Sequence, residues 1–184
     1  HDVRGVIKIL EGLRAVYQED ICFISDEDPR LADWWAQRSL IAVGGPLTNL
    51  VSRRVLLNTR VPVIMMNDKT YTITVPEKGT EYHSADSKEL DYAVVACLPN
   101  PVNPQNRVVV CAGLGDIGTE AACIHLQRKL GMIDCLGTPA PFVDVLEITQ
   151  GDVCSSSTVE SFLVLDEGRK QRPESQQAGG TLRR

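Results

Sequence analysis

The sequence predicts an α/β fold with a mixed sheet and antiparallel additions. Short apolar runs rich in branched residues alternate with segments whose apolar residues recur every three or four positions. Of the 184 residues, 43% are hydrophobic and 23% are charged, which is the composition of ordinary globular proteins. No apolar run approaches the roughly 18 residues that a membrane-spanning helix requires. We therefore expect one α/β domain over residues 1–166 that does not enter a membrane.

The first half of the chain is expected to alternate helices with strands. The first helix has Asp2 at its capping position, and Pro29 suits the first turn of a short second helix. The predicted elements are a helix at 2–18, a buried strand at 21–25, a short helix after Pro29, a buried strand at 39–43, a helix at 50–57, a buried strand at 61–66 and a half-exposed strand at 70–75.

The second half begins with a polar stretch at 76–90, which we expect to be a lid or an exposed excursion without secondary structure. The strands at 91–98 and 107–112 are joined by a loop rich in Pro and Asn. That loop leaves no room for a crossover helix, so we expect the two strands to be antiparallel or separated by a wide turn. The remaining predicted elements are a helix at 119–131 with Gly131 as its C-cap and a closing pair of strands at 142–148 and 159–165.

The charge of the chain is unevenly distributed. The formal net charge is −5, but the last 18 residues, 167–184, hold five basic side chains against two acidic ones. The body therefore carries −8 and the tail +3. A surface that binds nucleic acid needs clustered Lys and Arg, so we expect no nucleic-acid partner for the body. The tail is almost free of apolar residues and is expected to be disordered, either as an inert terminus or as a basic interaction arm.

The cysteines indicate a reducing compartment, and hence a cytoplasmic location. None of the six belongs to a Cys-x-x-Cys pair, and four lie inside apolar segments, where Cys acts as a small apolar filler. With isolated histidines as well, the sequence predicts no metal site. Cys111 lies two residues before a glycine loop and is either a buried strand residue or a reactive thiol. The six are Cys22, Cys97, Cys111, Cys123, Cys135 and Cys154.

Two glycine loops are the strongest indication of a site. GGPLTN (44–49) and GLGDIGTE (113–120) each stand where an apolar strand ends and an amphipathic helix begins. Such a junction directs unpaired N–H groups and the positive end of a helix dipole at one small volume, which suits phosphate or carboxylate. We expect the two loops to flank one crevice. The candidate binding residues are Gly44, Gly45, Pro46, Asn49, Gly113, Gly115, Gly118 and Thr119.

The second loop has the Gly-x-Gly-x-x-Gly spacing and therefore resembles the dinucleotide fingerprint of Rossmann folds. That fingerprint implies an acidic residue about 20 positions further on to hold a ribose, and Asp134 lies 21 residues after Gly113. Asp116 and Glu120, however, place negative charge beside the proposed phosphate position. The alternative is that the glycines serve a tight turn and close packing of helix on sheet.

Both loops together resemble a poorly characterised Rossmann-like module of bacterial and archaeal regulatory and effector proteins, with a related form in archaeal surface-layer-type proteins. The resemblance covers about residues 20–130 and rests on a GGPxxN block and an AGxxxxGTxAA block. It implies a Rossmann-like three-layer fold with a pocket, and no particular reaction. The matching residues are Gly44, Gly45, Pro46 and Asn49, then Ala112, Gly113, Gly118, Thr119, Ala121 and Ala122.

Other polar residues are candidates for chemistry near the loops. The cluster SDED (25–28) could bind Mg²⁺ or supply a base, or it could be an acidic turn before Pro29. Arg53 could pair with a bound anion, and His83 could reach an active site. His125 is expected to be a half-buried packing residue.

Three functions are consistent with these patterns. The first is a sensor or regulatory domain that binds a nucleotide, a dinucleotide or a similar small anion at the two loops. The second is an enzyme acting on a nucleotide or NAD, with Asp26, Glu27 or Glu120 as acid or base. The third is a structural or interaction domain without a ligand. In each case we expect the chain to be fused to, or assembled with, another protein domain.

Overall fold

The computed structural model describes residues 2–16, 22, 24–57, 61–65, 71–84, 90–132, 140–149 and 153–164, and shows an α/β fold. The described part contains four helices and seven strands. The helices are α1 (Asp2–Val16), α2 (Leu31–Gln37), α3 (Leu50–Leu56) and α4 (Asp116–Met132). The strands are β1 (Leu40–Val43), β2 (Thr72–Val75), β3 (Thr80–His83), β4 (Leu90–Pro99), β5 (Arg107–Gly113), β6 (Phe142–Thr149) and β7 (Ser157–Leu163).

Five strands form one mixed sheet in the order β1-β5-β4-β6-β7. Strand β1 is parallel to β5, whereas β4 is antiparallel to β5 and β6, and β6 is antiparallel to β7. Strands β2 and β3 form a separate antiparallel pair. The mixed sheet with antiparallel additions is therefore confirmed. Strands β4 and β5 take the antiparallel alternative of the prediction, and β6 and β7 form the predicted closing pair.

The central strand β4 separates two apolar clusters. Val94, Ala96 and Leu98 belong to a cluster that includes buried residues of α3 and β2. Ala93, Val95 and Cys97 alternate with them and belong to a cluster with residues of α1 and α4. Successive side chains of a strand point to opposite faces, so β4 is buried on both sides. This explains why residues 91–98 read as an almost continuous apolar run.

Two of the predicted strands differ from the structure. In the run 21–25, Cys22, Ile24 and Ser25 are not in a strand, and the other two residues lie outside the described part. In the run 61–66, of which the structure describes residues 61–65, only Ile64 among the described residues makes a β-bridge, which pairs it with Thr74 of β2. Pro62 has no N–H to donate, so a continuous ladder cannot form there.

The polar stretch 76–90 also differs from its prediction, because it contains β3. The chain turns at residues 76–79, where Gly79 has a φ of +64°, and returns to pair with β2. A positive φ of this size is easily adopted by glycine, which makes the tight turn possible. Residues 85–89 lie outside the described part, as does the predicted basic tail at 167–184.

The predicted helices are otherwise found close to their expected bounds. Helix α2 begins at Leu31, so Pro29 precedes the helix and does not occupy its first turn. Helix α4 begins three residues before its prediction and ends at Met132, one residue past Gly131. Within the described part of the chain, no helix is both long enough and apolar enough to span a membrane.

Candidate functional site

The two glycine loops lie side by side at the carboxyl ends of the parallel strands β1 and β5. The backbone N–H of Gly44 donates to the carbonyl oxygen of Cys111 at 2.9 Å. A Cβ placed on Gly45 would lie 3.4 Å from the carbonyl oxygen of Gly113. The two loops are therefore in direct contact with each other.

The first loop is held by hydrogen bonds within itself. Gly44 has a φ of +113°, a left-handed conformation that favours glycine. Asn49 is the N-cap of α3, where its Oδ1 accepts from the N–H of Ser52 at 2.9 Å and its Nδ2 donates to the carbonyl of Val43 at 3.3 Å. Pro46 is buried. Both ends of the Asn49 amide are thus committed to the backbone of the loop and the helix.

The Tyr71 side chain covers Gly45. Its hydroxyl donates to the carbonyl oxygen of Gly113 at 3.1 Å, and a Cβ on Gly45 would overlap that hydroxyl. Burial raises the pKa of Tyr71 to about 12, so the phenol stays protonated and remains a donor at neutral pH. Because glycine at position 45 has no side chain, the Tyr71 hydroxyl of the same chain can lie close to the backbone there.

The second loop is closed by Thr119. Its Oγ1 accepts from the N–H of Gly113 at 3.1 Å and donates to the carbonyl oxygen of Gly115 at 3.2 Å. A Cβ at Gly113 would overlap the backbone of Gly118 and Thr119. Close backbone packing explains the glycine at this position without a ligand.

The carboxylate of Asp91 occupies the N-terminal end of α4. Its Oδ2 accepts from the N–H of Gly118 at 2.7 Å, and its Oδ1 accepts from its neighbour Tyr92 at 2.8 Å. The same carboxylate stands 2.9 Å from where a Cβ on Gly115 would be, and Asp91 is only 4% exposed. A negative group is stabilised at a helix N-terminus by the free N–H groups and the dipole. Here that group is a side chain of the protein.

Several other predicted candidates have structural partners or lie on the surface. The carboxylate of Asp26 accepts from the N–H of Leu50 at 2.7 Å and so helps to cap α3. Glu27 and Arg53 are exposed, and Glu120 is half-buried. His83 is exposed, with its Nε2 3.5 Å from Glu81.

The cysteines differ in their burial, and two of the remaining candidates lie outside the described residues. Cys111 is a buried strand residue, and a hydrogen bond with Cys123 together with burial raises its thiol pKa well above the usual range. This pKa does not favour a reactive thiolate. Cys97 and Cys123 are also buried and free, whereas Cys22 is exposed, contrary to its prediction as a filler. Asp134 and Cys135 lie outside the described residues.

A second polar cluster, around Asp144 of β6, was not predicted. Asp144 is 2% exposed, and its oxygens lie 3.0 Å from His125 Nε2, 2.6 Å from Lys129 Nζ and 2.7 Å from Ser161 Oγ. Burial alone would raise the pKa of Asp144, but these three hydrogen bonds outweigh it and lower the pKa to about 2. His125, expected to be a packing residue, is therefore the partner of a buried carboxylate.

The sequence contained an indication that Asp91 and Asp144 are buried. Asp91 opens the apolar run 91–98 and Asp144 is flanked by Val143 and Val145, and a carboxylate that is buried in such a run requires partners. The partners themselves come from distant parts of the chain and could not be identified from the run alone.

The first loop borders one small depression in the described part of the chain. A depression of about 60 Å³ beside the first loop is lined by residues that include Asp26, Ile41 and Asn49. This is far below the roughly 300–1,000 Å³ of small-molecule sites.

Comparisons with known proteins found no protein-family model, no curated protein and no solved structure that matches the chain.

Proposed function

We propose that this chain is a non-catalytic interaction domain with a Rossmann-like three-layer arrangement, in which the two glycine loops serve the architecture of the fold. The observation that carries the proposal is the contact between the Asp91 carboxylate and the N–H of Gly118, at 2.7 Å. The position that a ligand phosphate would take at the start of α4 is filled by the protein's own anion.

A nucleotide phosphate at that position would have to displace Asp91 or stand beside it. Two unit charges 4 Å apart repel each other by about 4 kcal/mol at an effective dielectric constant of about 20. Displacing Asp91 instead would exchange one acceptor for another at the Gly118 N–H and would leave the backbone N–H of Tyr92 in need of another acceptor. Either cost weakens binding of a phosphate at this loop.

The acidic residues beside the loops also support a structural role. Asp26 accepts from the N–H of Leu50, and Asp91 accepts from the N–H of Gly118. A general base needs a carboxylate that can reach a substrate proton, and these two are engaged with the backbone. Their engagement favours the interaction domain over the enzyme acting on a nucleotide or NAD.

Exposed apolar side chains beside the first loop supply a surface for a partner. Leu47, Leu50 and Leu57 are 64%, 55% and 45% exposed, and Leu50 and Leu57 stand two helical turns apart along α3. We call these three residues the leucine surface. Apolar groups of this kind are suited to contact with an apolar face of another protein domain. The buried free thiols of Cys97, Cys111 and Cys123 support a cytoplasmic location for that contact.

A second candidate function is the nucleotide-binding regulatory domain. The adjacency of the two loops at the carboxyl ends of β1 and β5 favours it, because ligands of open α/β sheets bind at such places. This function would require Asp91 and Tyr71 to move away from the loops when the nucleotide binds.

Thermal unfolding in the presence of nucleotides distinguishes the two functions. The chain is heated with NAD, AMP, ADP or ATP, and with a non-nucleotide salt at the same ionic strength. A ligand that binds only the folded state raises the melting temperature by mass action. We expect no nucleotide to raise it above the salt control.

The variant Tyr71→Phe serves as the matched test of the second function. A variant that blocks the first loop directly, Gly45→Asp, is unsuitable for this test, because its Cβ would overlap the Tyr71 hydroxyl and disturb the fold. A melting temperature that nucleotides raise in the wild type, and raise further in Tyr71→Phe, would overturn the architectural role of the glycine loops and establish the nucleotide-binding regulatory function.

A further inference from the structure

We propose that an open cavity between α4 and the strands β6 and β7 binds the phosphate group of a small metabolite. Its volume is about 340 Å³, which is within the range of small-molecule sites. None of its lining residues belongs to either glycine loop, so the inference stands apart from the function proposed above. The lining residues are His125, Arg128, Lys129, Asp144, Thr158 and Ser161.

The wall formed by α4 carries two cations. Arg128 and Lys129 follow His125 by three and four positions, which places all three on one side of the helix. Arg128 Nη1 donates to the carbonyl oxygen of Cys154 at 2.9 Å, which holds the guanidinium at the edge of the cavity. The ammonium of Lys129 lies 3.6 Å from the centre of the Phe142 ring. Both cations are thus held in place before any ligand arrives.

The wall formed by β7 depends on a β-bulge. Ser161 pairs with Asp144, but the register shifts between Val145 and Leu146, so that Thr158 pairs with Leu146. Residues three apart in a regular strand point to opposite faces. The extra residue in the bulge brings the hydroxyls of Thr158 and Ser161 to the same face, toward α4.

Asp144 fixes the geometry of this wall. It accepts from Lys129 and Ser161 and contacts His125 Nε2, all within 3.0 Å. The single carboxylate offsets one of the two cations, so the lining keeps a net positive charge. We therefore assign Asp144 as a positioning residue and Arg128 as the principal contact for an anion.

A phosphate group suits these donors better than other small groups. A guanidinium offers five N–H donors and an ammonium offers three, so both retain donors beyond the contacts named above. Phosphate presents tetrahedral oxygens that can accept from both cations and from the Thr158 hydroxyl together, while the Ser161 hydroxyl donates to Asp144. The volume beyond the cations leaves room for the carbon skeleton of a small phosphate ester.

The test is a titration of the complete chain at constant ionic strength, followed by amide chemical shifts and by calorimetry. The probes are inorganic phosphate, phenyl phosphate and acetate. The variant Arg128→Gln removes the proposed contact, and Arg54→Gln on α3 is the matched control, because both arginines are exposed on helices. Thr158→Val is a second variant, which removes one hydroxyl from an exposed position.

We expect phosphate and phenyl phosphate to shift the amides of Thr158 and Ser161. We expect Arg128→Gln to raise the dissociation constant at least about tenfold, Thr158→Val to raise it less, and Arg54→Gln to leave it unchanged. The proposal is overturned if phosphate leaves these amides unshifted, if acetate binds as tightly as phosphate, or if Arg128→Gln and Arg54→Gln weaken binding equally. Circular dichroism verifies that each variant is folded. If Arg128→Gln is not folded, the dissociation constant of Thr158→Val tests the proposal in its place.

Discussion

The carboxylate of Asp91 lies 2.7 Å from the backbone nitrogen of Gly118, at the start of α4. Asp91 belongs neither to α4 nor to the glycine loop. It lies at the beginning of β4, 27 residues earlier in the chain than Gly118. It reaches the glycine loop because β4 runs antiparallel to β5, with Ala93 opposite Gly113. A loop whose sequence suits a bound phosphate is in this way supplied with an internal anion.

Removing the Thr119 hydroxyl should destabilise the second loop. Thr119→Val keeps the shape of the side chain but leaves the N–H of Gly113 and the carbonyl of Gly115 without this partner. We expect a loss of about 1–3 kcal/mol in the free energy of unfolding, measured by urea denaturation. Thr149→Val, at an exposed position of β6, is the control and should cost less than about 0.5 kcal/mol. Equal losses in the two variants would contradict the bridging role of Thr119.

The hydrogen bonds of Asp144 should make stability depend on pH in the acid range. Its pKa is about 2 in the folded state and about 3.8 ordinarily, so its contribution is complete above about pH 4 and is lost as the pH falls toward 2. The shift corresponds to about 2 kcal/mol. The difference in unfolding free energy between the wild type and Asp144→Asn should therefore shrink from pH 5 to about pH 2. A difference that stays constant over this range would contradict the assignment.

The leucine surface should contribute little to folding. Leu47 and Leu50 are 64% and 55% exposed, so the double variant Leu47→Gln/Leu50→Gln removes few internal contacts. We expect the free energy of unfolding to change by less than about 0.5 kcal/mol per site. Val55→Gln is the contrasting control, because Val55 is 3% exposed and its replacement buries an unpaired amide. A large loss of unfolding free energy in the double variant would mean that the two leucines stabilise the fold, which would contradict their role as a surface for a partner.

Local sequence predicted the position of the loops but not what fills them. The GGPLTN and GLGDIGTE segments do follow strands and precede helices, and the two loops do adjoin. The contacts of Tyr71 and Asp91 depend on how the β2 and β4 regions are placed on β5, which the loop sequences do not specify. For the same reason, the bulge that brings Thr158 and Ser161 to one face was not predictable from the alternation of β7.

The strand predictions failed where another rule was stronger. The run 61–66 is apolar throughout, and apolarity alone indicates a buried strand. In its described residues, 61–65, Pro62 limits pairing to the bridge at Ile64. The stretch 76–90 is polar, and polarity alone indicates a loop, but Thr80–His83 pairs with β2 through the backbone. Main-chain hydrogen bonds at a sheet edge do not require apolar side chains.

The measurement that tests the central claim most directly is the stability of Asp91→Asn in urea. Both oxygens of Asp91 accept from backbone N–H groups, and an asparagine has only one oxygen to replace them. We expect Asp91→Asn to lower the free energy of unfolding by about 1–3 kcal/mol. Asp116→Asn, an exposed acid in the first turn of the same helix, should cost at most about 1 kcal/mol. If Asp91→Asn is as stable as Asp116→Asn, the carboxylate does not hold the loop, and the architectural role of the glycines is contradicted.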